Sequence, residues 1–200
     1  MENDNRREEL RLEPPRQYVL EAALWLRPSP RSDRLTIADM GQPDLTVSGC
    51  ADALTVQNLS SQGARLGLPC QPAGEDGPGT REVWLYLKLF APWDQENGNR
   101  LSLFLRAEAA RLEPRDGGCR LALRFLAKGV PERDAKALWF TDAERFGVSE
   151  LYRWLQAYAR HSLAPRPPQR GLDLDRLLEE IASLYPGRRS DRDDAGSPRS

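Results

Sequence analysis

Apolar and polar residues alternate along much of this chain with a period of two. Alternation of this kind predicts β-strands with one buried face, because successive side chains of a strand point to opposite sides of a sheet. Short turns rich in glycine, proline and asparagine separate the alternating segments, which favours antiparallel pairing. We therefore predict a mainly β protein built as a small antiparallel β-barrel. The predicted strands are 17–26, 53–57, 64–66, 83–90, 101–112 and 119–126.

The N-terminal residues depart from this pattern. Residues 1–16 are polar and end with two prolines before Arg16, so we expect an extended arm that leads into a β domain over 17–147. Within that domain, the segment 27–52 is punctuated by prolines and glycines and contains two short apolar pieces. It is expected to form a long loop or a small hairpin.

The C-terminal part changes to a helical period. Apolar residues at i, i+3, i+4 and i+7, beginning with Leu151, predict an amphipathic helix over 148–163 that caps the barrel. A second apolar stripe predicts another helix over 171–185. The segment 188–200 is rich in serine, aspartate and arginine, and we expect it to be disordered.

A compact polar motif lies between two of the predicted strands. The strand over 53–57 leads directly into Asn58-Leu59-Ser60-Ser61-Gln62-Gly63, and alternation resumes at Ala64. Asn58 and Ser60 can hydrogen-bond the local backbone, and Gly63 permits a positive φ or the close approach of another group. The segment predicts a tight corner between strands, and plain structural turns share this chemistry.

Composition narrows the classes of function. The chain has 200 residues, of which 40% are hydrophobic, enough to bury a core. Its 29 basic residues nearly cancel its 30 acidic ones, so net charge gives no argument for nucleic-acid binding. No apolar run is long enough to cross a bilayer, and the N-terminus does not resemble a signal peptide, so we expect a cytoplasmic protein without membrane insertion. The three cysteines are widely spaced and indicate neither a disulfide framework nor a zinc site.

The corner resembles the second signature of PilZ domains, the bacterial receptors for cyclic di-GMP. That signature reads (Asp/Asn)-x-Ser-x-x-Gly, and Asn58, Ser60 and Gly63 match it. The Gly-ended turn and alternating strand over 117–125, followed by the amphipathic helix, are similar to the closing part of such a domain. In the order of its elements, the resemblance covers roughly residues 6–160.

PilZ domains carry a first signature, Arg-x-x-x-Arg, in the arm before the first strand, and this chain offers two candidates. Arg7 and Arg11 lie beside apolar leucines and run through two prolines into the first strand, which is similar to the family's usual entry. Arg27 and Arg31 lie closer to the corner, at a separation nearer to the usual interval. We favour Arg7 and Arg11, because doubling the length of a surface loop adds only about 0.6 kcal/mol of closure entropy.

The resemblance implies a signal-transduction module that binds cyclic di-GMP and passes the level of this second messenger to a protein partner. Arginines of the arm would bond phosphate or guanine and stack on a base. Asn58 would accept from a guanine edge, Ser60 would bond phosphate or base, and Gly63 would let the ligand or the arm approach the backbone. Asn58 replaces the commoner aspartate and lacks its charge. The alternative is a degenerate PilZ-like adaptor that binds protein but no nucleotide.

Catalytic and stacking roles find less support in the sequence. His161 is the only histidine and has no partner within a known catalytic motif, so we expect no enzyme activity, no cofactor and no metal site. Trp84, Tyr86, Trp93 and Phe104 could form an oligonucleotide-stacking platform. Packing in the core of a small barrel is the favoured role for these rings.

Overall fold

The computed structural model describes most of the chain between residues 10 and 160. Within this part the protein is mainly β and antiparallel, as the alternation predicts. The described ranges are 10–26, 33–47, 54–69, 81–132 and 137–160, without the side chains of residues 37, 38 and 81.

Nine strands and two α-helices lie in the described ranges, and a short 3-10 turn precedes the first strand. The turn spans Arg16–Tyr18, and the helices are α1 (Ile37–Met40) and α2 (Ser149–Arg160). The strands are β1 (Val19–Trp25), β2 (Arg34–Thr36), β3 (Leu45–Val47), β4 (Thr55–Leu59), β5 (Gly63–Leu68), β6 (Arg81–Phe90), β7 (Arg100–Arg115), β8 (Gly118–Glu132) and β9 (Ala137–Asp142).

The strands form one sheet that branches at β8. Its main path runs in the order β2-β9-β8-β7-β6-β1-β3. β5 pairs with the first half of β8, from Cys119 to Arg124, and β4 pairs with β5. β9 pairs with the second half of β8, from Ala127 to Glu132. One long strand therefore carries both branches, and β4 and β5 form the shorter one.

The prediction of a closed barrel is wrong for the described residues. The path ends at β2 on one side and at β3 on the other, and these two strands do not pair with each other. Helix α2 and the N-terminal arm complete the core instead, and Leu10 and Leu12 of the arm pack against it. A helix and an arm remove apolar surface from water as a further strand pair would, so burial does not require closure.

One face of the sheet carries the main core. Leu24, Leu85, Leu87, Leu105 and Phe125 are fully buried there. They come from four strands and occupy alternate positions, as the sequence pattern predicts for a buried face. Burying one such side chain contributes about 1.5–3 kcal/mol.

The opposite face is buried as well, under a cluster of aromatic rings. Trp25, Trp84, Tyr86 and Phe104 pack together there, with the rings of Trp25 and Phe104 5.5 Å apart. Trp93 packs against the main core. The favoured role of core packing is therefore confirmed for these aromatic residues, and they form no exposed stacking platform.

The segment rich in proline and glycine supplies the cover for the aromatic cluster. In its described part, β2 pairs with β9 and β3 pairs with β1, so the two strands do not form a hairpin. Leu35 of β2 and Met40 of α1 are buried against the rings. The expectation of a loop or small hairpin over 27–52 is wrong for the described residues 33–47, because the two apolar pieces join different edges of the sheet.

Helix α2 packs on the main core through the predicted stripe. Leu151, Trp154 and Leu155 are buried, and Tyr158 is half-buried beside them. Trp154 Nε1 also donates a hydrogen bond to the carbonyl of Phe90, with 2.9 Å between the two atoms. The amphipathic helix is therefore confirmed within the described residues.

Several predictions fall outside the described ranges. These are the last residues of the first predicted helix (161–163, including His161), the second helix over 171–185 and the tail over 188–200. Among the cysteines, Cys119 is described, and its thiol is buried.

An ion pair joins α2 to the sheet. Lys128 Nζ of β8 lies 2.5 Å from Glu150 Oε1 in the first turn of the helix. Burial raises the pKa of Glu150, but hydrogen bonds with Lys128, the backbone and Ser149 outweigh this effect and lower the pKa below its ordinary value. The folded state therefore favours the ionised carboxylate.

Trp154→Ala should destabilise the protein strongly. It opens a cavity in the main core and removes the donor to the Phe90 carbonyl, so we expect a loss of about 3–5 kcal/mol in the free energy of unfolding. Tyr152→Ala, on the exposed side of the same helix, should change it by less than about 1 kcal/mol. Urea unfolding measures both values. Equal losses would show that α2 does not pack on the core through Trp154.

Acid should weaken the link between α2 and the sheet. Because the pKa of Glu150 is lowered in the folded state, its contribution to stability is present above the ordinary glutamate pKa of about 4.3 and is lost as the pH falls through the folded pKa. The wild type should exceed Glu150→Gln in free energy of unfolding at neutral pH, and this difference should shrink below about pH 4. Urea unfolding at both pH values measures it, and a difference independent of pH would contradict the ion pair.

Candidate functional site

The polar motif forms the corner between β4 and β5. Ser60 N donates to the carbonyl of Gly63 at 2.9 Å. The Ser60 hydroxyl oxygen lies 3.1 Å from Gly63 N, which donates to it, and 3.2 Å from the Gly63 carbonyl oxygen, which accepts from it. Ser60 is buried, so its side chain holds the turn closed. The predicted tight corner between two strands is confirmed.

Gly63 is needed because another strand passes very close to it. A Cβ at this position would lie 2.3 Å from the carbonyl oxygen of Leu123 on β8. The neighbouring Gln62 carbonyl accepts from Phe125 N at 2.7 Å. A glycine is therefore required here by the close approach of another group, and that group is the backbone of β8 in the same protein. Gly63 is not among the described glycines that have a positive φ.

A β-bulge sets the direction of Asn58. Val56 pairs with Leu66, but Asn58 pairs with Arg65, so Gln57 is the extra residue of β4. The Gln57 side chain accepts from Arg120 Nε at 3.0 Å. Bulges redirect side chains and are frequent beside functional sites. Within the described residues, the half-buried Asn58 side chain has no hydrogen bond of its own, so its amide is available to a ligand.

The N-terminal arm lies along the free edge of β4. Leu12 N donates to the Leu59 carbonyl at 3.0 Å, and Leu59 N donates back to the Leu12 carbonyl at 2.8 Å. Leu10 and Leu12 pack against the main core. Because side chains alternate along an extended segment, Arg11 between them points outward and is exposed. The bridge therefore places Arg11 beside the corner.

These features meet in a cleft of about 350 Å³. Arg11, Asn58, Ser60 and Gly63 all line it, so the structure brings together every predicted site residue that it describes. Arg7 and the alternative pair, Arg27 and Arg31, lie outside the described ranges. The choice between the two arginine pairs therefore stays a prediction.

Arg65 is a lining residue that the sequence analysis did not identify. It is exposed on β5, and the cleft continues past it to Ala122 on β8. The alternation of Ala64, Arg65 and Leu66 could have predicted its exposure, because a polar residue between two buried ones points outward. Its nearness to Asn58 depended on strand register, which a bulge had shifted.

The described lining of the cleft includes basic side chains. Arg11 and Arg65 contribute two positive charges, and none of the described residues that line it is acidic. Guanidinium groups present forked donors that match phosphate oxygens and the O6 and N7 edge of guanine. The arrangement is therefore suited to a ligand that carries phosphate.

The corner is also joined to helix α2. Val148 N, directly before the helix, donates to the Ser61 carbonyl at 2.8 Å. Gly147 adopts a φ of +71°, and a Cβ there would lie 2.8 Å from the same carbonyl oxygen. The backbone before α2 is thus packed tightly on the corner, so a movement of one would displace the other.

The described residues contain no group of three or more histidine, cysteine, aspartate or glutamate side chains placed to hold a metal ion. None of their helices is both long and apolar enough to cross a bilayer. Comparisons of the chain with family models, curated proteins and solved structures find no match.

Gly63→Ala should destabilise the protein more than a glycine substitution in an open turn. The new methyl group would force β5 away from β8, and we expect a loss of about 3 kcal/mol. Gly117→Ala is the control, because Gly117 has a φ of +80° but no atom near its Cβ position. It should lose only about 1–2 kcal/mol, for the left-handed backbone. Urea unfolding compares them, and a smaller loss for Gly63→Ala would contradict the close approach.

Proposed function

We propose that this protein is a PilZ-like receptor that binds cyclic di-GMP and transmits its level to a partner protein. The observation that carries the proposal is the presence of Arg11 and the corner residues in one cleft. Arg11 comes from the N-terminal arm and Asn58 from the corner of β4 and β5, and both line the same space.

The chemistry of the cleft suits the proposed ligand. Cyclic di-GMP carries two phosphate groups and two guanine bases. Arg11 and Arg65 supply positive charge, and Asn58 supplies an amide that can pair with a guanine edge. Asn58 has a carbonyl acceptor without the charge of aspartate, so we expect weaker pairing with guanine N–H groups than an aspartate would give.

Ser60 and Gly63 serve the site in a different way from Asn58. The Ser60 hydroxyl already bonds both backbone groups of Gly63, and Gly63 lies against β8. A ligand contact by Ser60 would have to share these bonds. In this proposal the two residues chiefly shape the corner that presents Asn58 and Arg65.

The link between the corner and α2 supports a role in signalling. A ligand that orders the arm would act on residues 58–63, and the Ser61 carbonyl passes the effect to the backbone before α2. Phe146 and Tyr152, which lie close in sequence to this contact, are exposed at 82% and 44%. A change in this apolar surface would alter the binding of a protein partner.

A PilZ-like adaptor that binds protein without nucleotide is the second candidate. The exposed Phe146, Tyr152 and Trp139 favour it, because large exposed apolar side chains are typical of interaction surfaces. The Ser60 hydroxyl accepts a hydrogen bond from Gly63 N within the turn, which also fits a corner with a mainly structural role. Absence of enzymatic turnover and of a cofactor stay predictions in both cases.

Calorimetric titration with cyclic di-GMP separates the two candidates. The receptor proposal predicts saturable binding at micromolar ligand, and no heat up to high micromolar ligand would contradict it and favour the adaptor. Where binding occurs, Arg7→Ala with Arg11→Ala should abolish it, because the arm loses both guanidinium groups. The matched control, Arg27→Ala with Arg31→Ala, should bind as the wild type does. The reverse pattern would assign the site to the second arginine pair.

A further inference from the structure

Three arginines lie on the outer face of β5 and β8, and one of them, Arg65, lines the cleft. Arg65 pairs with Ala122 across the two strands, and Arg120 and Arg124 lie two positions to either side of Ala122. Paired residues of antiparallel strands, and residues two apart on one strand, point to the same face. The three guanidinium groups therefore share one side of the sheet, opposite the main core.

Two of these arginines are already paired within the protein. Arg124 Nη2 lies 2.6 Å from Glu108 Oε2, and this hydrogen bond raises the pKa of Arg124. Arg120 donates to Gln57 at 3.0 Å and lies 3.9 Å from Glu113 Oε2. Their charges hold β4, β7 and β8 in place and are largely matched.

Arg65 differs from both. Its guanidinium is exposed, and within the described part of the chain it forms no hydrogen bond or ion pair. It lies opposite Asn58 across the β4–β5 pair and lines the cleft. Ala122 beside it is small, so space remains next to the guanidinium.

The arm and β5 lie on opposite edges of β4. Leu12 bonds Leu59 on one edge, and Arg65 pairs with Asn58 on the other. Arg11 and Arg65 therefore approach the cleft from its two sides, with Asn58 between them. A ligand that reaches Asn58 lies within the field of both charges.

We infer that Arg65 is a further ligand-binding residue of this cleft and binds a phosphate oxygen of the ligand opposite Arg11. The inference rests on the proposed function and adds a residue outside both sequence signatures. Strand β5 is hydrogen-bonded on both edges, so the backbone of Arg65 is in place before a ligand arrives. Because the backbone is already fixed, only the side chain of Arg65 has to be ordered when a ligand binds.

Titrations of the full chain with cyclic di-GMP and with inorganic pyrophosphate test this role. Arg65→Ala should weaken the binding of cyclic di-GMP about tenfold or more, because a charge-assisted bond to phosphate is lost. Arg65→Lys should recover part of the affinity, since it keeps the charge but not the fork. Arg115→Ala, an exposed arginine that does not line the cleft, is the matched control and should bind as the wild type does. Circular dichroism should show that all the variants are folded.

The outcomes test the role of Arg65 and the receptor function separately. If the wild type binds cyclic di-GMP and Arg65→Ala binds it within about twofold of Arg115→Ala, the inference is overturned and the receptor function stands. If the wild type binds pyrophosphate in a manner that depends on Arg65 but does not bind cyclic di-GMP, the receptor function is overturned and Arg65 keeps its role as the phosphate-binding cation. Binding of neither ligand by the wild type overturns both.

Discussion

The position of the arm depends on two backbone hydrogen bonds, which join Leu12 and Leu59 in both directions. Backbone pairing fixes register, and register decides which side chain of an extended segment points outward. A slip of one residue would turn Arg11 toward the core and a leucine toward water. The apolar flanks of Arg11 oppose this slip, since both leucines pack on the core. The cleft exists in its present form because this register holds.

The corner rests on a second constraint of the same kind, the close approach of β8. Gly63 allows β5 to lie against Leu123 without a side chain between them, and the long β8 carries β5, β7 and β9 together. The corner is thus fixed by the sheet, while the described part of the arm is held by the bridge to Leu59 and by the packing of Leu10 and Leu12 on the core.

The sequence pattern predicted the elements better than their arrangement. Alternation located the strands over 83–90 and 119–126, and the helical stripe located α2, because each is a local property of the chain. Closure into a barrel was a wrong prediction, since β5 and β9 share β8 and this depends on pairing between distant segments. The burial of both faces of β6 could not be predicted either, because the residues that cover its aromatic face come from the segment around Leu35 and Met40. Register and cover are properties of the whole sheet.

The same division applies to the site. Asn58, Ser60 and Gly63 could be identified because a polar corner stands out between strands, whereas Arg65 could not, because a bulge at Gln57 sets its partner.

Amide shifts of isotope-labelled protein titrated with cyclic di-GMP test the central claim that one ligand occupies the cleft between arm and corner. The account predicts the largest changes at residues 10–12, 58–65 and 122–123, followed by smaller ones at the start of α2. Changes confined to another surface, or none at saturating ligand, would contradict it.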